Sequence, residues 1–338
     1  MKSKRAVIIG GGLVGCLTAI EMKHNRFDVS IIDQSNLGSG SSMAAGGILF
    51  PLMPWDYSSK VYDLCASADN YYESLSKELL KKTGIDLEYS RSGMIIIESL
   101  EPKKINKWCN KNNIKSSEFF FNGIPSIELE NISQINPKKL IQALKIYMKI
   151  LGITICENNK IIDFIEEGGE IKGCLSENGE HYYGEKFIIT SGAWIFNLIE
   201  EYKKKIFPVK GQMIQYPNTG TEIKKIVYRD GFYLIPRKDG TIVAGSTLEE
   251  VGFNAHENEK NINSLKKKAE FIYPQLRDVD IVKAWHGFRP GTSDNIPITE
   301  KHKLYKNLYI NAGHHRYGIT MGPKCAEIIT SLITRNMK

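Results

Sequence analysis

Apolar positions fall into short blocks with two different periods. Ala6-Val7-Ile8-Ile9 is a run rich in β-branched residues, the pattern of a short parallel strand buried on both faces. Leu13, Leu17 and Ile20 then recur at helical spacing, with Cys16 and Ala19 alongside, and residues 28–32 return to strand character before Asp33. Farther along, residues 137–151 read as a helix and 153–156, 161–165, 171–176 and 182–189 as strands, with Asn178-Gly179 as a hairpin turn. Residues 308–311 read as a last strand and 319–333 as a last helix. A strand, a helix and a second strand at the start predict a βαβ unit and an α/β fold.

The link between the first strand and helix is Gly10-Gly11-Gly12-Leu13-Val14-Gly15, a GxGxxG sequence. Gly10 suits the tight turn, Gly12 allows backbone to approach a pyrophosphate, and Gly15 permits close helix–strand packing. The helix N-terminus, including Leu13 and Val14, offers free N–H groups to phosphate. Asp33 follows the second strand, close to the ~20-residue spacing expected of a carboxylate that binds ribose, with Gln34 beside it. In register, these parts predict a Rossmann-type dinucleotide site. Alone they do not separate NAD from FAD.

That separation rests on residues 38–49, where Gly38, Gly40, Ser41, Ser42, Ala44, Ala45, Gly46 and Gly47 lead into Ile48. So many small residues let backbone pass close to an extended cofactor, and Ser41 and Ser42 can bond its phosphates. The apolar continuation from Ile48 to Trp55 argues for a buried loop rather than a linker.

Composition narrows the function classes. With 338 residues, 42% hydrophobic and 25% charged, the chain is of ordinary globular type and long enough for two domains. The net charge of +7 comes from scattered lysine clusters interleaved with glutamates, without a nucleic-acid-binding motif, so no nucleic-acid partner is expected. Six cysteines form no CxxC pair or metal-ligand cluster, which predicts a cytoplasmic setting and no metal. Leu13-Val14-Gly15-Cys16 resembles a lipoprotein cleavage box. Gly10-Gly11-Gly12, however, interrupts the ~7–15-residue apolar core that a secretory segment needs. Neither GxSxG, GxxxxGK[ST] nor HExxH occurs.

The Ala-Ala-Gly-Gly-Ile-Leu-x-Pro-Leu-x-Pro-Trp run resembles the second flavin-contacting loop of the D-amino-acid-oxidase superfamily. Within that superfamily it is most similar to bacterial glycine oxidases of thiamine biosynthesis. Further blocks recur in family order: Gly192-Ala193-Trp194, Gly287-Phe288-Arg289-Pro290-Gly291, and Gly313-His314-His315-Arg316-Tyr317-Gly318-Ile319. Ile161 matches the family's backbone contact to adenine. The resemblance implies a discontinuous FAD-binding domain over 1–87, 136–207 and 287–338, and a smaller antiparallel-sheet substrate domain over 88–135 and 208–286. It implies non-covalent FAD, since no Cys lies between Arg289 and Arg316 for the linkage found in sarcosine-oxidase relatives.

By the same resemblance, Arg289 binds the substrate carboxylate, a task its planar fork suits. Tyr233, in the Tyr-x-x-Pro-Arg strand, meets that carboxylate, although neighbouring Phe232 competes for the inward position. Arg316 is a second Arg near the substrate. The family usually has Phe, Arg, Asn where this chain has His315, Arg316, Tyr317, which puts the pocket's size and polarity in question. The implied reaction is oxidative deamination of glycine or another small amino acid. Hydride passes from Cα to flavin N5, and O2 reoxidises the flavin to give H2O2. No general base is assigned, and His286, His314 and His315 are read as structural. The alternatives are a D-amino-acid dehydrogenase with a quinone acceptor, a flavoprotein acting on modified RNA, and an FAD-binding protein without turnover. No stable membrane insertion is expected, and homo-oligomerisation stays open.

Overall fold

The computed structural model describes residues 4–97, 101–220 and 223–335. Its first layer is a six-stranded sheet in the order Ile298–Lys301, Leu308–Ala312, Lys186–Ile189, Arg5–Ile9, Asp28–Ile32, Thr154–Cys156. All neighbours are parallel except Ile298–Lys301. Alternation along Arg5–Ile9 explains its unbroken apolar run. Ala6 and Ile8 face the helices Leu13–His24, Ala68–Thr83, Pro137–Ile150 and Gly318–Arg335, whereas Val7 and Ile9 face the opposite side. That side is covered by a three-stranded sheet, Ile161–Glu167, Glu170–Ser176 and His181–Tyr183. Gly179, at φ +82, makes the turn before its last strand.

The second large layer is an eight-stranded sheet in the order Lys283–Gly291, Phe207–Tyr216, Ile242–Gly245, Phe232–Pro236, Ile226–Arg229, Met94–Ile97, Ile124–Leu129, Ser116–Phe121. It is antiparallel apart from the pairing of Ile226–Arg229 with Met94–Ile97. Its strands come from three stretches of chain, and Lys283–Gly291 spans residue 287. One face packs Ile95, Ile214, Phe232 and Leu234 beneath the helix Glu259–Ile272. The other carries Phe50, Leu52, Met213 and Tyr233.

Two local expectations change. Residues 182–189 are not one strand but two, His181–Tyr183 and Lys186–Ile189. Gly184 lies between them where a Cβ would come within 2.9 Å of Val7, so the chain crosses close to the first strand and changes sheets. The small-residue stretch at 38–49 is not all loop, because Ser41–Ala44 forms a single helical turn. The terminal helix runs Gly318–Arg335 with Pro323 inside it, and the Ile319 carbonyl, deprived of the N–H that proline lacks, accepts instead from the Tyr72 hydroxyl at 2.9 Å. All six cysteines are free thiols, and Cys16 is buried within its helix. Among the described residues no helix is long and apolar enough to cross a membrane. Nor does any group of three His, Cys, Asp or Glu there suit a metal ion.

Candidate active site and cofactor cavity

A cavity of about 430 Å³ is bordered by both large sheets. Much of its wall is built at the carboxyl ends of parallel strands. Gly10 and Gly12 follow Arg5–Ile9, Asp33 and Gln34 follow Asp28–Ile32, Gly192 follows Lys186–Ile189, and His314 follows Leu308–Ala312. Open α/β sheets bind their ligands at this edge.

The sequence-predicted residues converge here. Leu13, Val14, Ser41, Ser42, Ala45, Gly46, Gly47, Ile48, Ile161, Trp194 and the run 314–319 all line the cavity, as do Tyr233 and Arg289. Gly15 and Gly313 do not. A Cβ on Gly15 would lie 2.0 Å from the Gly10 carbonyl oxygen, so its bareness serves helix–strand packing. Gly313, at φ +85, takes the left-handed turn that delivers His314 and His315 to the wall.

Several donors are already arranged for a ligand. The helix at Leu13 has no side chain from its own cap residue, but Ser42 Oγ accepts from the Leu13 N–H at 2.8 Å. The serine's own proton is left to donate. Asp33 accepts from the Gly11 N–H at 2.5 Å through Oδ2 and from the Ser35 N–H at 2.8 Å through Oδ1. Each oxygen keeps a second lone pair for a hydroxyl donor. Burial pushes the Asp33 carboxyl above its ordinary value, and these two N–H groups oppose that shift.

Alternation places Tyr233 on the cavity face and Phe232 under the helix Glu259–Ile272. The Tyr233 hydroxyl donates to Met213 Sδ at 3.9 Å and lies close enough to Arg289 to favour its charged form. Arg289 donates from Nη2 to Ser246 Oγ at 2.7 Å and from Nη1 to the Thr247 carbonyl at 3.2 Å. Among the described residues its hydrogen bonds thus go to neutral oxygens. Burial pulls the guanidinium below its ordinary value, which marks a cation held with little compensation. Arg316 borders the same cavity and is exposed.

Burial disfavours the charged form of two histidines at the wall, His314 and His315. Burial pulls His314 down to about 3. Burial, then the charges of Arg316 and Arg289, pulls His315 down to about 4. His315 sits at φ +44, and its Nδ1 is 2.6 Å from Asn295 Oδ1. The Nε2 atoms of His314 and His315 and Oγ of Ser191 are buried without partners. All three residues border the cavity, and such orphaned groups call for a polar ligand. Uncapped helix N–H groups, a glycine cradle and unpaired polar atoms suit a dinucleotide such as FAD.

Sequence reasoning missed part of the wall. Gly211 and Met213 come from a strand, and Ser246 from just beyond its neighbour, whose pairing only the folded sheet reveals. His286, set aside as structural, lines the cavity too. Asn159 and Lys160 do so beside Ile161, and no local pattern marks them.

Comparison with known proteins agrees with this geometry. The family model described as FAD dependent oxidoreductase (DAO) matches residues 5–332. Glycine oxidase of Pseudomonas putida is 29% identical over 98% of this chain and 95% of its own length. The bifunctional protein ThiO/ThiG of Synechocystis is 27% identical over 97% of this chain but only 51% of its own length. Among solved structures, glycine oxidase from Bacillus cereus superposes with a TM-score of 0.90 at 24% identity, covering 99% of this chain and 96% of that one. The chain belongs to the DAO family of FAD-dependent oxidoreductases.

Proposed function

We propose that this flavoenzyme oxidatively deaminates glycine or an amino acid of similar size, with O2 as the final acceptor and H2O2 as a product. The observation that carries the reading is Arg289: a half-buried cation at the cavity wall, fixed by neutral oxygens and flanked by the Tyr233 hydroxyl. A substrate carboxylate supplies the missing anion, with the planar fork fixing its orientation. The names of the curated relatives, glycine oxidase in Pseudomonas putida among them, support the same substrate class.

When bound, FAD supplies the two-electron acceptor for the Cα–H bond. Gly10, Gly12 and the helix end at Leu13 and Val14 would hold its pyrophosphate, Asp33 its ribose, and Gly46, Gly47 and the 314–319 run its ring system. The chain's own residues bind and orient. Arg289 and Tyr233 anchor the carboxylate, while Phe50, Leu52 and Met213 close the apolar side against water. The neutral rings of His314 and His315 add no positive charge that would repel the substrate amine. The N-terminus of Gly318–Arg335 brings positive potential to the cavity wall.

Anaerobic mixing with glycine, sarcosine, D-alanine and D-proline tests the reading. At least one is expected to bleach the flavin, and aeration is then expected to yield one H2O2 per substrate oxidised. Bleaching without peroxide would point to a different acceptor. No bleaching by any of them would sink the proposal.

A further inference from the structure

Arg289 does not hold itself in place. Its two partners, Ser246 and Thr247, lie just beyond the strand Ile242–Gly245. Thr247 is in turn fixed from both sides. Its hydroxyl donates to Glu249 Oε1 at 2.5 Å and accepts from the Gln212 N–H at 2.7 Å. The same Glu249 oxygen accepts from Gln212 Nε2 at 2.8 Å. Lys210 and Glu249 exchange backbone hydrogen bonds in both directions, at 2.9 Å each. Farther out, Gln212 Oε1 accepts from the Asn258 N–H at 3.3 Å, and Lys210 Nζ donates to the His256 carbonyl. Lys210 and Gln212 are both buried.

The placement matters as much as the bonds. Lys210 and Gln212 alternate with Gly211 and Met213, which face the cavity. The network therefore stands behind the strand, on the far side from the ligand, with Glu249 as its one carboxylate hub. Through Thr247 the hub reaches the very atoms that grip the guanidinium. It also lends that cation a favourable negative field without bonding to it.

We propose that Glu249 is a positioning residue for the carboxylate anchor. By holding Thr247 and Gln212 it fixes the fork of Arg289, and it leaves the fork's charge free for substrate. A carboxylate in direct contact with Arg289 would fix the side chain equally well but would compete with the ligand. One step removed, Glu249 stabilises the cation and keeps the binding face open. The proposal rests on Arg289 being that anchor.

The test uses the flavin-loaded enzyme and acetate, a carboxylate that lacks the amine, titrated by its perturbation of flavin absorbance. Glu249→Ala is expected to raise the acetate Kd and the glycine KM about tenfold while kcat stays within about threefold, since an interaction common to ground and transition states is lost. Glu249→Gln retains an acceptor for the Thr247 hydroxyl and is expected to raise them less. Thr247→Val removes the link instead of the hub. Its effect should match that of Glu249→Ala, and the double variant should be no worse than either single, the signature of one shared path. If Glu249→Ala does not fold, the cycle is run with Glu249→Gln. Fully multiplying effects would overturn the proposal. So would a Glu249→Ala enzyme with an unchanged acetate Kd when Arg289→Leu abolishes acetate binding. If Arg289→Leu itself leaves acetate binding unchanged, the anchor reading fails and Glu249's role falls with it.

Discussion

Gly211→Ala is a substitution that should separate function from stability. A Cβ built on Gly211 lies 2.1 Å from Arg289 Nη1, 2.4 Å from Nη2 and 2.5 Å from Cζ, and ordinary contact begins near 3.4 Å. The guanidinium must therefore retreat by about 3.4 − 2.1 = 1.3 Å. Because it is the far end of a flexible side chain, the backbone need not move, and the folding cost should not exceed that of one lost hydrogen bond to a charged group, about 1.5–3 kcal/mol. Function has no such slack. A retreat of that size breaks the 2.7 Å bond to Ser246 or the 3.2 Å bond to Thr247, and it carries the fork away from the carboxylate position. Losing one or two charge-assisted hydrogen bonds to the substrate carboxylate, at about 1.5–3 kcal/mol each, predicts a fall of roughly 10- to 10⁴-fold in kcat/KM. Steady-state oxidation of glycine, beside thermal unfolding with flavin bound, measures both quantities. A Gly211→Ala enzyme within twofold of the parent in kcat/KM would refute the placement of Arg289 as the anchor. A large drop in melting temperature would refute the argument that only a side-chain end is displaced.

Three further outcomes follow from the same geometry. Tyr233→Phe keeps the ring in its packing but removes the hydroxyl beside Arg289, so the glycine KM should rise roughly tenfold, about 1–1.5 kcal/mol, with the fold intact. Arg237→Leu strands the Gly46 carbonyl, now 2.6 Å from Nη2, and the Ile135 carbonyl, 2.9 Å from Nη1. At about 1–3 kcal/mol for each unsatisfied group, it should loosen the Gly46–Gly47 wall, and equilibrium dialysis should show weaker flavin retention. The last concerns acid. Above pH 6.5 His314 and His315 are neutral folded or unfolded and contribute nothing, but below it the unfolded chain takes up protons that the folded one refuses. Stability should thus fall by up to about 2.7 kcal/mol per pH unit towards pH 4, as urea midpoints would show, and His314→Asn should roughly halve that slope.

Much of the fold was legible because its signals are local. Gly10 to Gly15, the strand before them and Asp33 after the second strand sit within one βαβ unit, and their roles depend on near neighbours. Choosing between Phe232 and Tyr233 needed only to know which face of one strand meets the helix Glu259–Ile272. The break at Gly184 was less accessible, since it is set by the approach of Val7, far away in sequence. Gly211 carried no local mark at all. It pairs with Gly287, two residues from Arg289, and only that register lays the guanidinium across its bare backbone. Glu249 was equally silent, because it acts through Thr247 and Gln212 rather than at the cavity.

These hidden residues share one physical task. A desolvated guanidinium left without partners is costly, whereas one bonded to a carboxylate is satisfied and gives little to a ligand. Ser246 and the Thr247 carbonyl take a middle course, giving the fork direction without cancelling its charge. Under the proposed function, the remaining electrostatic deficit is relieved when a carboxylate binds, so affinity is concentrated on the group that distinguishes an amino acid from a simple amine. A neutral amine of the same size would leave the deficit unrelieved, and rejection of such a molecule can reach 10⁴-fold or more when a site's polar groups go unpaired. On this argument the selectivity for amino acids resides less in the shape of the cavity than in what Arg289 is denied from within the protein.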